Sequence, residues 1–267
     1  MLKIAWSPVY AHSLPPRHRF PMEKYTLLPE QLRYEGTVTS DNFFIPTPLS
    51  EKYIINTHDQ VYWHKLKNLQ LSRKEERATG FPLSKALIHR EIVIAQGTVT
   101  ATEYALQHGV AMNIAGGTHH AFTNKGEGFC LLNDIAIAAN YALEHYHFRQ
   151  ILVIDLDVHQ GNGTAEIFQF QPKVFTFSMH GAKNYPLRKE KSDLDIGLPD
   201  KTGDDIYLPI LAETLNTLFH QLQPDLVYFQ AGVDVLATDQ LGRLALSLQG
   251  CRQRDELVLT KCCQHRI

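Results

Sequence analysis

The apolar run Ile151 to Ile154 leads directly into Asp155, Leu156, Asp157, Val158 and His159, with Gly161 and Gly163 close behind. A run this short and this rich in β-branched residues has the pattern of a buried parallel strand. The acids and the histidine therefore begin where the strand leaves the core. In open α/β sheets ligands gather at the carboxyl ends of the strands. Position and residue type together predict a metal site at a strand end.

Other short apolar runs repeat the pattern. Ile4 to Trp6, Phe43 to Ile45, Val110 to Ala115, Val174 to Phe177 and Leu226 to Phe229 are predicted strands. Helical spacing is predicted over Ser84 to His108, with a break near Gly97, and over Leu131 to Tyr146, Asp205 to Leu222 and Ser247 to Gln264. Strands alternating with helices imply an α/β fold, a single domain over residues 1–267 with a mainly parallel sheet flanked by helices. The polar segments Ser72 to Thr79 and Lys183 to Asp205 are expected to be solvated loops. That expectation covers the acids Asp193, Asp195, Asp200, Asp204 and Asp205.

With 267 residues, 44% of them hydrophobic, the chain is long enough to bury a sizeable core. A formal net charge of −2 argues against a protein that grips nucleic acid directly through a basic surface. Neither a leader-like apolar segment nor a run long enough to span a bilayer is present, so no membrane partner is expected. Cys130, Cys251, Cys262 and Cys263 show no disulfide-like spacing, which fits a reducing, cytoplasmic location.

Polar groups collect at several strand ends. Val110 to Ala115 is followed by Gly116, Gly117, Thr118, His119 and His120, then by Gly126, Gly128 and Phe129. Val174 to Phe177 ends in Ser178, Met179 and His180, and Leu226 to Phe229 leads to Asp234. Any one of these is as well explained by a turn or a cap. Several together favour a site. Asp157, His159 and Asp234 offer oxygen, nitrogen and oxygen ligands and leave a position open, the arrangement of a hydrolytic metal centre. Zn2+ is the default for such a set, although Fe2+, Co2+ and Mn2+ accept the same ligands.

These motifs resemble the histone deacetylase superfamily, especially bacterial proteins similar to class IV deacetylases. The resemblance runs from His18–Met22 through Gly116–His120, Gly126–Cys130, Asn133, Asp134, Asp155–Gly163, Ser178–His180, Asn184–Pro186, Ser192–Asp195 and Ala231–Gly242. It implies the arginase/deacetylase fold and a zinc-dependent hydrolase of linear amides that removes acyl groups, such as acetyl, from lysine side chains. It further implies that Asp157, His159 and Asp234 hold Zn2+, and that His120 is the general base acting on a zinc-held water. His119 becomes its companion, with Asp155 and Asn162 supporting the pair. Gly128, Phe129, Tyr185 and Leu241 become the walls of the acyl tunnel. Asp155 and Ser178, with Asp157, His159 and Met179, become a monovalent-cation site for K+.

The chain also departs from its relatives. Many have Asp where Asn162 stands, and a neutral amide stabilises an imidazolium less than a carboxylate does. Asn162→Asp should therefore move the acidic limb of the pH–rate profile upward. Relatives continue into a further strand and a glycine-rich loop bearing a tyrosine that donates to the reacting carbonyl. This chain ends at Ile267, and none of its 11 tyrosines follows paired glycines. The last strand and tyrosine loop are thus expected to be missing. Three other readings accompany the acyl-lysine protein or peptide substrate. One is an acetylpolyamine or other small acylated amine as substrate, and another is a catalytically weak or silent acyl-lysine-binding homologue. The third is an arginase-like ureohydrolase, disfavoured because Gln160 and Gly161, not a second acid, follow His159.

Overall fold

The structure is a computed structural model that describes residues 1–267. Its backbone gathers into two compact units, Met1–His145 and Tyr146–Ile267. Both are of α/β type, and the strands within each sheet run parallel.

The first unit contains β1 (Lys3–Ala5), α1 (Lys24–Tyr34), β2 (Phe43–Phe44), α2 (Glu51–Ile55), α3 (Gln60–Lys67), α4 (Arg73–Thr79), α5 (Lys85–His108), β3 (Ala111–Asn113) and α6 (Asp134–His145). Its sheet has the order β2-β1-β3. The long α5 starts where the Ser84 hydroxyl accepts the Leu87 amide and ends at Gly109, whose φ of +86° suits a residue without a side chain. The break expected at Gly97 does not occur. A side chain at Gly97 would run into the Tyr10 hydroxyl and come within 3.2 Å of Ala5 Cβ, so the glycine serves close packing rather than a kink. The loop expected over Ser72–Thr79 is instead α4, because Ser72 and Glu75 form a reciprocal capping box and Gly80 closes the helix at φ +77°.

The second unit contains β4 (Ile151–Asp155), α7 (Asn162–Phe168), β5 (Val174–Gly181), β6 (Leu194–Leu198), α8 (Asp204–Leu222), β7 (Leu226–Gln230) and α9 (Leu248–His265), with strand order β6-β5-β4-β7. Every residue of β4 is buried, as the unbroken apolar run Ile151 to Ile154 requires, and the burial extends to Asp155 at its end. Leu152, Ile154 and Phe177 pack with Leu211, Leu215 and Val258 from α8 and α9 in the core of this unit. β6 falls inside the segment expected to be a loop. Its acids masked the alternation of Leu194, Ile196 and Leu198, which places these three residues on one face while Asp193 and Asp195 serve as hydrogen-bond acceptors. No helix is long and apolar enough to cross a membrane. All four cysteines are free.

Candidate active site

The second unit sets the end of β4 between the ends of its neighbours β5 and β7. Asp155 closes β4 in register with Ser178 on β5 and Gln230 on β7. Beyond it the chain turns on its own carboxylates. Asp155 Oδ1 accepts the Asp157 amide at 3.1 Å, and Asp157 Oδ1 accepts the His159 amide at 2.8 Å. Asp234, in the loop after β7, accepts the Val158 amide at 3.0 Å. His159 Nδ1 ends up 3.0 Å from Asp157 Oδ1 and 3.0 Å from Asp234 Oδ2. The three donor atoms lie within 4.8 Å of one another.

These donors fit a divalent ion. A tetrahedral centre with bonds of about 2.0 Å separates neighbouring ligand atoms by about 3.3 Å, close to both contacts of Nδ1. Electrostatics points the same way. Burial opposes the charge on His159, but hydrogen bonds and attraction from Asp157 and Asp234 outweigh it and push its pKa up to about 10. Burial raises the Asp234 carboxyl, and repulsion from Asp157 adds to the rise. One imidazole nitrogen set between two confined carboxylates favours a positive charge, which a metal supplies.

Two supports were not legible from the spacing of polar residues. Gly232 lies against Asp157, and a Cβ there would overlap its carboxylate, 2.7 Å from Cγ. Arg254 of α9 is fully buried. Its guanidinium donates to the carbonyls of Leu156 at 3.2 Å, Ala231 at 3.3 Å and Gly232, while Asp255 balances its charge. One side chain thus holds the backbone of both loops that carry the candidate ligands. An arginine among the several charged residues of this amphipathic helix carried no signal of this in the sequence.

In the first unit, β3 leads to a turn held by the buried Asp134. Its carboxylate accepts the amides of Gly117 at 2.9 Å and Thr118 at 2.7 Å and the hydroxyl of Thr118 at 2.6 Å. Out of this cradle come His119 and His120, both buried, with ring centroids 4.1 Å apart. Gly128, at φ +54°, lets the backbone pass the second imidazole, since a Cβ would sit 2.7 Å from His120 Cδ2. The next residue, Phe129, also has a positive φ, +67°, rare for a bulky side chain and typical of functional turns. Gly80 leaves room for its ring.

Residues 18–267 match the histone deacetylase domain family. The chain belongs to the histone deacetylase family. An uncharacterized protein of Picosynechococcus is 43% identical over 97% of this chain and 86% of its own length. Histone deacetylase 2 of Arabidopsis thaliana is 29% identical over 90% of the chain and 65% of its own length, so the chain spans a little under two thirds of that relative. A probable deacetylase of Archaeoglobus fulgidus is 28% identical over 90% and 70%. The crystal structure of an HDAC homologue from Aquifex aeolicus shares the fold at a TM-score of 0.85 and 24% identity, over 98% of this chain and 76% of that one.

Within this histone deacetylase fold the remaining expected residues take distinct places. The Tyr185 ring lies 6.4 Å from that of His159. The Leu241 carbonyl accepts a hydrogen bond from the Asn184 amide, which joins the loops carrying Tyr185 and Leu241. Phe129 packs among Phe20, Phe81 and His18 in the first unit. Asn162 is buried at the start of α7. Met179 is buried, and Ser178 lies 2.9 Å from His180 Nδ1.

Proposed function

We propose that this member of the family is a zinc-dependent hydrolase of linear amides that removes acyl groups from lysine side chains. The observation that carries the reading is the convergence of Asp157, His159 and Asp234 at the ends of two adjacent strands. These residues would hold the zinc. When bound, the metal would supply a Lewis acid that polarises the amide carbonyl and lowers the pKa of water.

In this reading His120 takes a proton from the attacking water and later returns it to the departing amine. His119, Asp155 and Asn162 support it. Phe129 and Tyr185, with Gly128 and Leu241, enclose the acyl-lysine stem, since flat aromatic faces bury an alkyl chain without demanding a polar partner. Asp155, Ser178 and the carbonyls of Asp157, His159 and Met179 form a K+ site. The register of Asp155 with Ser178 supports that assignment.

Mass spectrometry of an acetyl-lysine peptide incubated with the purified protein tests the proposal. The expected result is loss of the acetyl group, abolished by a chelator and restored by Zn2+. Acetylated polyamines in parallel distinguish the small-amine reading. A folded protein that binds no zinc, or that binds it and leaves every acylated amine intact, overturns the proposal.

A further inference from the structure

We infer that Lys189 is a positioning residue for substrate binding: its ammonium clamps the peptides on either side of Tyr185 and so sets the Tyr185 ring beside the candidate ligand His159. This rests on the deacylase reading, in which Tyr185 lines the acyl-lysine stem, and deepens it.

The loop between β5 and β6 is tied down at both ends. Gln160, buried and next in sequence to His159, donates to the Glu190 carbonyl and to Asp195 Oδ1, both at 2.7 Å, and accepts the Glu190 amide at 2.9 Å. With its amide hydrogens and its carbonyl all engaged, this side chain joins the turn that carries His159 to the end of the loop. At the start of the loop the buried Asn184 donates to the Leu241 carbonyl at 2.9 Å and accepts the Arg243 amide at 3.2 Å, which joins it to the segment that follows Asp234. Apolar packing alone does not hold the tip between these anchors, because Leu187 is 92% exposed and Tyr185 39%.

Lys189 closes the tip. Its Nζ donates to the carbonyls of Asn184 and Pro186, both at 2.6 Å. These are the residues before and after Tyr185, so one ammonium fixes both flanking peptides and leaves the tyrosine little backbone freedom. The Tyr185 ring centroid is thereby kept 6.4 Å from that of His159. A lysine that served solubility alone would hold its ammonium in water. Lys189 is instead half-buried, and burial pulls its pKa below the usual lysine range against the attraction of Asp195. The two carbonyls offset that lost hydration, and hydrogen bonds from a charged donor are the strong ones. The lysine spends its charge on holding Tyr185, and small misplacements of a group that grips substrate are felt in the reaction.

The test uses zinc-loaded protein and an uncharged acetyl-lysine peptide with Ser/Gly flanks, so that attraction between charges does not enter. Lys189→Met, which keeps the aliphatic stem, is expected to raise KM about fivefold to tenfold with kcat within about twofold of the wild type and zinc content unchanged. Lys189→Arg keeps a charged donor and should bring KM back to within about threefold. Tyr185→Ala should raise KM by about tenfold on its own, and Lys189→Met added to it should change KM by less than about twofold, because the clamp then has nothing to position. Without substrate, chymotryptic cleavage after Leu187 should be about fivefold faster in Lys189→Met than in the wild type. An unchanged KM in either single variant, equal cleavage rates, a Lys189→Met effect that persists in full without the Tyr185 ring, or a matching fall in zinc content overturns this inference and leaves the deacylase reading standing. Absence of turnover by the zinc-loaded, folded wild type on every acylated amine overturns both.

Discussion

The Val158 amide donates to Asp234 Oδ1, 76 residues along the chain, and so ties the loop after β4 to the loop after β7. Asp234 therefore has two tasks, since one oxygen organises backbone while the other faces His159 Nδ1. The two tasks are separable by substitution.

Asp234→Asn keeps an oxygen for Val158 but removes the charge. Loss of an outer partner of a metal site typically costs 10- to 100-fold in affinity, so loss of a ligand charge should weaken zinc binding by more than about 100-fold. The melting temperature without metal should change little. Calorimetric zinc titration and thermal unfolding of the same preparation check both halves.

Gly232→Ala tests how tightly Asp157 is enclosed. The new methyl must displace the Asp157 carboxylate or the backbone beneath it. A cost of about 1–3 kcal/mol in stability is expected, with reduced zinc content at equal protein concentration. Denaturant unfolding and elemental analysis measure the two effects.

Arg254→Leu removes the donors that serve Leu156, Ala231 and Gly232. Buried carbonyls then lose their partners, and about 3 kcal/mol or more of stability should go with them. Zinc affinity should fall as well, because the ligand-bearing loops lose their common tether. Leu215→Ala, a core truncation in the same unit, provides the comparison: it should destabilise without a matching loss of affinity.

His58 gives an acid-sensitive element in the first unit. Its Nδ1 donates to the Phe122 carbonyl at 2.9 Å and its Nε2 accepts the Asn133 amide at 3.0 Å, so the neutral ring is fully used. Burial pushes its pKa down to about 4, against 6.5 for the ordinary side chain. Between those values the unfolded chain binds the proton and the folded one does not. Its contribution to stability is therefore complete above pH 6.5 and falls as the pH drops toward 4, by roughly 3 kcal/mol in all. Urea unfolding at stepped pH should show this slope in the wild type and its loss in His58→Gln.

Much of the fold, and the convergence of Asp157, His159 and Asp234, was legible because Ile151–Ile154 is apolar without interruption and leads straight into the acids, although Asp155 and Asp157 stay buried rather than marking where the strand leaves the core. The same logic hid β6, where Asp193 before the strand and Asp195 within it made a strand look like a loop, and α4, where capping by Ser72 and Glu75 outweighed a composition polar but for Ala78. Gly97 misled in the other direction, since a glycine in a helix signals either a break or a close neighbour and only packing decides. Arg254 and Gln160 escaped notice for a common reason. Each acts on backbone carbonyls or amides, and such partners leave no pattern in residue types.

The paired hydrogen bonds of Gln160 with Glu190 have a practical corollary for protein engineering. A loop grafted from a relative into residues 183–191 would hang from an anchor that belongs to the turn carrying His159. A successful transplant must carry a matching side chain at position 160 along with the loop, or else the new rim will be mispositioned and the histidine next to it disturbed.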